Sequence, residues 1–365
     1  MTNNEPNFTL CSDSARTHVF VEPDALNYIG KWVSSLRTPP IVVIISDTTV
    51  AKLYGQRALA SLATHCPKSE LITVPPGDQS KSISHLDGIY AKLGKMRVPR
   101  DGMLLALGGG VVTDLTGFAA ATWMRGIDYA NCPTTLEADV DASLGGKTGI
   151  NHASGKNMIG AFHHPRFVAV DPTCLKTLPA RDVAAGLAES IKHALISDAA
   201  FLDWHEQNAP AIRAIDPKIM GELVTRNLRI KANVVEQDEK ESGIRACLNF
   251  GHTIGHAVEK LSNYALRHGE AVAVGMVAAA HISMSKGMLD APAVQRIQTM
   301  LQSFALPIKA ENVNPAEVIE ITLGDKKVKA GKRQWVLLDG IGQYTITDDV
   351  SDDVIEQAVN TVCAN

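Results

Sequence analysis

Three short runs of apolar residues each end in a polar or glycine turn and hand over to a helix-like stretch, and this alternation constrains the chain more than any other feature. Residues 41–45 end at Ser46-Asp47-Thr48-Thr49, residues 71–74 at Pro75-Pro76-Gly77-Asp78, and residues 103–107 at Gly108-Gly109-Gly110. Strands that are apolar along their whole length need cover on both faces, so the pattern predicts a parallel sheet with helices on either side. Ligands of such sheets gather beyond the carboxyl ends of the strands, which makes the three turns the expected seat of a nucleotide. Past about Pro179 the texture turns helical, over residues 181–202, 217–235, 250–262 and 270–288. Strand-like runs at 334–338 and 343–347 flank Asp339-Gly340-Ile341-Gly342 and predict a late hairpin. The expectation is two domains, 1–178 with the sheet and 179–365 mainly α-helical.

With 365 residues, 45% of them hydrophobic, the chain can bury a large core. Its 35 basic and 39 acidic residues give a net charge of −4, which offers no broad basic surface to nucleic acid or to an anionic membrane. An anion site must therefore be built locally. The six cysteines are scattered without a CxxC pair, which argues against a thiolate zinc site or a disulfide framework and for a reducing compartment. The first residues lack a signal-peptide pattern and no apolar run approaches the roughly 20 residues that cross a bilayer, so a cytoplasmic protein is expected.

Gly108-Gly109-Gly110-Val111-Val112-Thr113-Asp114 follows a strand and opens a helix, placing amides where a pyrophosphate could approach. The spacing is not GxGxxG, and glycine at such a junction also serves tight packing alone. Asp47 and Asp78 could hold ribose hydroxyls or simply cap the following helix. In Asn249-Phe250-Gly251-His252-Thr253-Ile254-Gly255-His256 two imidazoles lie one helical turn apart. Both could chelate one metal, or one could bind metal and the other substrate. His268 follows at a helix start, and Glu189 sits in an apolar helical stretch where its charge needs a cation or strong hydrogen bonds. A carboxylate with two or three imidazoles suits zinc or a similar divalent ion. Gly145-Gly146-Lys147-Thr148 imitates a phosphate loop, but Asp141 stands where its first glycine belongs. Lys147, Lys156 and Asn157 remain as a cluster for point contacts to an anion or hydroxyls, with Arg125, Lys192, Lys231, Arg245 and Asp325-Lys326-Lys327 as further candidates.

These ordered blocks resemble the 3-dehydroquinate synthase family over nearly the whole chain: the turn from 108, Pro133-Thr134-Thr135, Val140-Asp141, residues 145–152 and 155–160, Gly186-Leu187-Ala188-Glu189, residues 248–253 and His268-Gly269-Glu270. The resemblance implies a Rossmann-like α/β N-terminal domain, a helical C-terminal domain, an active site in the cleft between them, and a homodimer. It implies Glu189, His252 and His268 as ligands of a zinc or cobalt ion. Lys147, Asn249, His256 and Lys326 or Lys327 would hold a substrate phosphate, joined by Arg125 from the partner subunit. Lys231 and Arg245 would hold a carboxylate, and Asp141, Asn157 and Lys192 would orient hydroxyls. NAD would meet Asp47, Asp78, Lys81, Gly109, Gly110, Val111, Asp114, Thr134, Thr135, Lys147, Lys156 and Thr177. The implied substrate is 3-deoxy-D-arabino-heptulosonate 7-phosphate, which undergoes oxidation, phosphate elimination, reduction and intramolecular aldol closure.

Three places depart from the family pattern. Thr113 stands for a glycine, Asp78 for a glutamate, and Glu137 and Asp139 for an apolar residue and a Gln or Met, near the expected nicotinamide and substrate region. Other sugar phosphate cyclases are the nearest rivals. Those acting on substrates without a carboxylate have no use for Lys231 and Arg245, whereas an aminodehydroquinate synthase stays open. A metal-dependent polyol dehydrogenase would release NADH, and a non-catalytic relative would not need Glu189, His252 and His268.

Overall fold

The computed structural model describes residues 5–324, 328–329 and 332–364. Contacts divide the chain into two units, the first made of 1–178 and 217–240, the second of 179–216 and 241–365.

The first unit is built on a seven-stranded sheet. In chain order its strands are β1 (Phe8–Cys11), β2 (Arg16–Val21), β3 (Val42–Asp47), β4 (Ser69–Val74), β5 (Met103–Gly108) and β6 (Asp128–Pro133). A two-stranded hairpin, β7 (Lys147–His152) and β8 (Gly155–Phe162), precedes the last sheet strand, β9 (Phe167–Val170). The spatial order is β1-β2-β9-β6-β5-β3-β4, parallel throughout except for the antiparallel edge pair β1 and β2. Strand β3 shows why the run from 42 is apolar without a break. Val42 and Ile44 join one core with Trp32, Leu62 and Phe167, while Val43 and Ile45 join another with Leu86, Ile89 and Leu115. Side chains two apart share a face, so helices on both sides require apolar residues at every position. The expected strands at 41–45, 71–74 and 103–107 are β3, β4 and β5.

Two stretches of this unit differ from the sequence reading. Residues 141–149, read as a loop for anions, run into the hairpin β7–β8, whose register pairs Lys147 with Phe162 and Ile150 with Ile159. Helix Pro217–Gln237 groups with the sheet rather than with the helical half. It buries Leu223, Leu228 and Val235, and its polar residues tie it to the N-terminal strands. The Arg229 guanidinium donates to Asn7 O at 2.8 Å, the Cys11 amide donates to Glu236 Oε1 at 2.7 Å, and Ser14 binds Glu239.

The second unit is helical. Its centre is Helix His268–Ser285, buried on almost every side from Gly269 to Ser283, as expected of a helix enclosed by others. Helices Ala180–Ser197, His252–Leu261, Ala291–Ser303 and Asp352–Val362 surround it, and the expected hairpin is Trp335–Leu338 paired with Tyr344–Thr347. The stretch 181–202 is not one helix. Asp198 breaks it with extended backbone angles and caps the next, Ala199–Arg213, by accepting from the Phe201 amide. No described helix is long and apolar enough to cross a membrane.

Asp139 stands out in the first unit. It lies in the π-turn Ala138–Ala142, is 1% exposed, and neither carboxyl oxygen has a hydrogen bond. Burial, and next the charge of Asp171, push its pKa well above the ordinary Asp range, so the protonated form is favoured in the fold. An acid whose folded pKa is raised contributes its stability fully below the unfolded value near 4, and that contribution falls as pH rises. Asp139→Asn is therefore expected to stabilise the chain by about 1–3 kcal/mol near pH 8 and by much less near pH 5. Denaturant unfolding at the two pH values checks this, and an equal change at both refutes it.

Candidate metal and anion sites

In the second unit Glu189 is the point on which several groups converge. It lies in Helix Ala180–Ser197 and is 1% exposed. Lys192, one turn later and as deeply buried, donates to Glu189 Oε2 at 2.5 Å. The other oxygen, Oε1, lies 3.5 Å from His252 Nε2 and 3.5 Å from His268 Nε2, and no hydrogen bond reaches it. Burial opposes the Glu189 charge, but Lys192 first and then the two histidines outweigh it and hold the acid well below its usual range. His252 is driven well below the ordinary histidine value, by burial above all and against the pull of Glu189. A neutral imidazole aimed at an anionic oxygen that has no hydrogen bond is the donor set a divalent cation takes.

His256 completes a ring of three imidazoles. Ligand atoms of His252, His256 and His268 all lie within 4.8 Å of one another. His256 is exposed whereas His252 is buried, so the two histidines of the HxxxH spacing stand in different surroundings. Tight crossings hold these residues together. A Cβ on Gly275 would lie 1.9 Å from the Gly251 carbonyl oxygen, and one on Gly269 would lie 1.9 Å from that of Ala185. Glycine at these two positions lets Helix His268–Ser285 touch both the His252 turn and the Glu189 helix.

In the 3-10 turn Ile244–Asn249, Arg245 is buried to 1% exposure and Asn249 donates to Glu241 Oε1 at 2.9 Å. The sequence reading did not single out Glu241. It also missed Glu259, whose Oε2 lies 3.3 Å from His268 Nδ1. The signal was available, because His252, His256 and Glu259 follow the spacing of one helix face. Lys326 and Lys327 lie outside the described residues.

In the first unit the predicted nucleotide residues collect at the carboxyl ends of the strands. Gly109 is the N-cap of Helix Gly110–Thr122 and offers no side chain to it, leaving the first amides, from Gly110 and Val111, for an anion. The Thr134 amide donates to Gly108 O, and Thr134 is buried beside that turn. A Cβ on Gly109 would meet Thr135 at 2.9 Å. Lys81 pairs with Asp114 at 2.6 Å and donates to Asn157. Asp47 takes the capping role, accepting from the Thr49 and Val50 amides at 2.8 and 3.0 Å. Asp78 accepts from Asn151 at 2.8 Å with Lys156 Nζ 3.9 Å away, and Thr177 hydrogen-bonds Tyr54. Thr113 fits its turn by donating back to Gly110 O at 3.0 Å.

Lys231 reaches from Helix Pro217–Gln237 to Asp141, 2.7 Å from Oδ1 and donating to the main-chain oxygen at 2.6 Å. Asp141 and Asp139 are two apart in the same π-turn; the first meets Lys231, while the second is buried with no hydrogen bond to either carboxyl oxygen. Lys147, Lys156, Asn157 and Arg125 are exposed, Asn157 and Arg125 with positive φ.

The fold places the chain among proteins of the sugar phosphate cyclase type. It superposes on 2-epi-5-epi-valiolone synthase from Streptomyces hygroscopicus subsp. jinggangensis, solved with NAD+ and Zn2+ bound, with a TM-score of 0.88 at 28% identity over 96% of this chain and 98% of that one. Within that class the relation is narrower. Residues 71–185 match the 3-dehydroquinate synthase N-terminal model and residues 186–328 the C-terminal model, so the chain belongs to the 3-dehydroquinate synthase family. It is 44% identical to the 3-dehydroquinate synthase of Nostoc punctiforme over 93% of this chain and 95% of the relative. With that of Shewanella loihica it shares 42% over 94% and 96%.

Gly275→Ala is expected to force the two helices apart and cost about 1–3 kcal/mol, read by denaturant unfolding. A variant as stable as the parent would mean that the crossing tolerates a methyl group.

Proposed function

We propose that the chain catalyses the reaction of its family, converting 3-deoxy-D-arabino-heptulosonate 7-phosphate to 3-dehydroquinate and phosphate. The observation that carries this reading is the buried Glu189 oxygen, without a hydrogen bond and 3.5 Å from one nitrogen of each of two imidazoles. Glu189, His252 and His268 would hold zinc or cobalt. The Gly109–Gly110–Val111 turn, with Asp47, Asp78, Lys81, Asp114, Thr134, Thr135, Lys147, Lys156 and Thr177, would hold NAD. When bound, NAD takes and returns a hydride, and the ion makes the reacting alcohol acidic enough to ionise.

The chain's own part is positioning and electrostatics. Lys192 neutralises Glu189 from the side opposite the imidazoles, which keeps a charged carboxylate affordable in an apolar helix. Arg245 is buried, and a buried guanidinium suits a fork-shaped bond to a substrate carboxylate, with Lys231 as its companion. Asp141, Asn157 and Lys192 orient hydroxyls. Lys147, Asn249, His256 and Lys326 or Lys327 receive the phosphate. The chain acts as a cytoplasmic homodimer in which Arg125 joins the partner's phosphate site. Free cysteines support the reducing compartment, and exposure of Arg125 suits a residue that reaches outward.

Phosphate release from the heptulosonate phosphate with NAD far below substrate concentration tests the activity. Accumulation of NADH in step with product would instead mark a dehydrogenase. A chelator is expected to abolish turnover and zinc or cobalt to restore it, whereas full activity of Glu189→Ala would exclude the assigned ligand. Arg245→Ala is expected to reduce kcat/KM at least about 100-fold, the loss of one charge-assisted pair of about 3 kcal/mol. Light scattering on the purified chain checks the dimer.

A further inference from the structure

The two imidazoles that face Glu189 are held from behind by different groups. His252 turns Nε2 toward Glu189 and sets Nδ1 3.1 Å from the main-chain oxygen of Phe250. His268 also turns Nε2 toward Glu189, but its Nδ1 meets the Glu259 carboxylate at 3.3 Å. The Glu259 side chain is only 9% exposed, and it projects from the helix that carries His252 and His256. A carboxylate in that position has a defined effect. Accepting a hydrogen from Nδ1 selects the tautomer whose free lone pair is on Nε2, orients the ring, and raises its strength as a donor.

The geometry points to Glu259 as a positioning residue of the metal site, acting through His268. It is the complement of the neutral Phe250 carbonyl behind His252. His268 begins its helix as His252 begins its own, and the charged acceptor behind His268 comes from the neighbouring helix. Glu259 thereby couples the two helices that carry the imidazoles, and its contribution should appear in metal affinity rather than in the fold alone. The inference rests on the ligand set proposed above.

The test uses the full-length chain stripped of metal, with Zn2+ affinity measured by competition against a chromophoric chelator. Glu259→Ala is expected to weaken zinc binding about 10- to 100-fold. Glu259→Gln keeps the shape and one acceptor oxygen without the charge, and is expected to bind zinc several-fold more weakly while melting, metal-free, at the parent's temperature. Its cobalt-loaded form should show shifted visible absorption bands, which a purely structural role would leave in place. Should the alanine variant fail to fold, the glutamine variant decides. Zinc affinity within twofold of the parent, together with an unshifted cobalt spectrum, overturns the proposal. Glu189→Ala is measured alongside. If it binds zinc as the parent does, the ligand set itself is wrong and the role of Glu259 falls with it. If it loses zinc while the Glu259 variants do not, only the positioning role fails.

Discussion

A single carboxylate oxygen organises the second unit. Glu189 is too deeply buried to be left charged without compensation, and Lys192 supplies that compensation on one side only. The other oxygen faces His268 and His252, the latter driven by burial well below the ordinary histidine value. The unit is consequently built around one buried negative charge that Lys192 and the two imidazoles face from different sides. The glycines at 269 and 275 serve the same end, because only backbones in near contact bring Glu189, His252 and His268 from three helices to one place.

The first unit meets its charges differently. Lys81 and Lys231 are almost wholly buried, and each is matched to an aspartate at the carboxyl ends of the strands. In the π-turn at 138–142 Asp141 is matched and Asp139, two residues earlier, has no hydrogen bond to its carboxyl oxygens. Burial, and next the charge of Asp171, favour the protonated form of Asp139, so this departure from the family pattern bears on stability and its pH dependence.

How much of this was legible in the sequence varied with the range of the signal. Strands β3 to β5 were legible because an uninterrupted apolar run has one structural meaning when helices follow. Glu189 was legible because an acid among alanines and leucines needs a reason. The hairpin β7–β8 was not, since its glycines and lysines imitate a phosphate loop and few of its residues, Ile150 among them, join the hydrophobic core. Asp198 ended a helix that composition would have continued, by the local competition of an aspartate side chain for backbone amides. Helix Pro217–Gln237 followed the long helices in composition, and only its partners in β1 and the π-turn reveal where it belongs. Glu259 lay on a visible helix face, but its purpose depends on His268, which sequence spacing could not place beside it.

That helix has a consequence for how the molecule comes into being. Because residues 217–240 return to the first unit, the polypeptide passes between units at three points, and neither unit is a continuous segment. A nascent chain released as far as residue 178 holds a sheet whose Asp141 still awaits Lys231 and whose first strand lacks the helix that ties it down. The sheet unit can reach its final form only after part of the helical unit has been synthesised. Biogenesis is therefore an interleaved process, and no single cut separates this protein into two self-sufficient pieces.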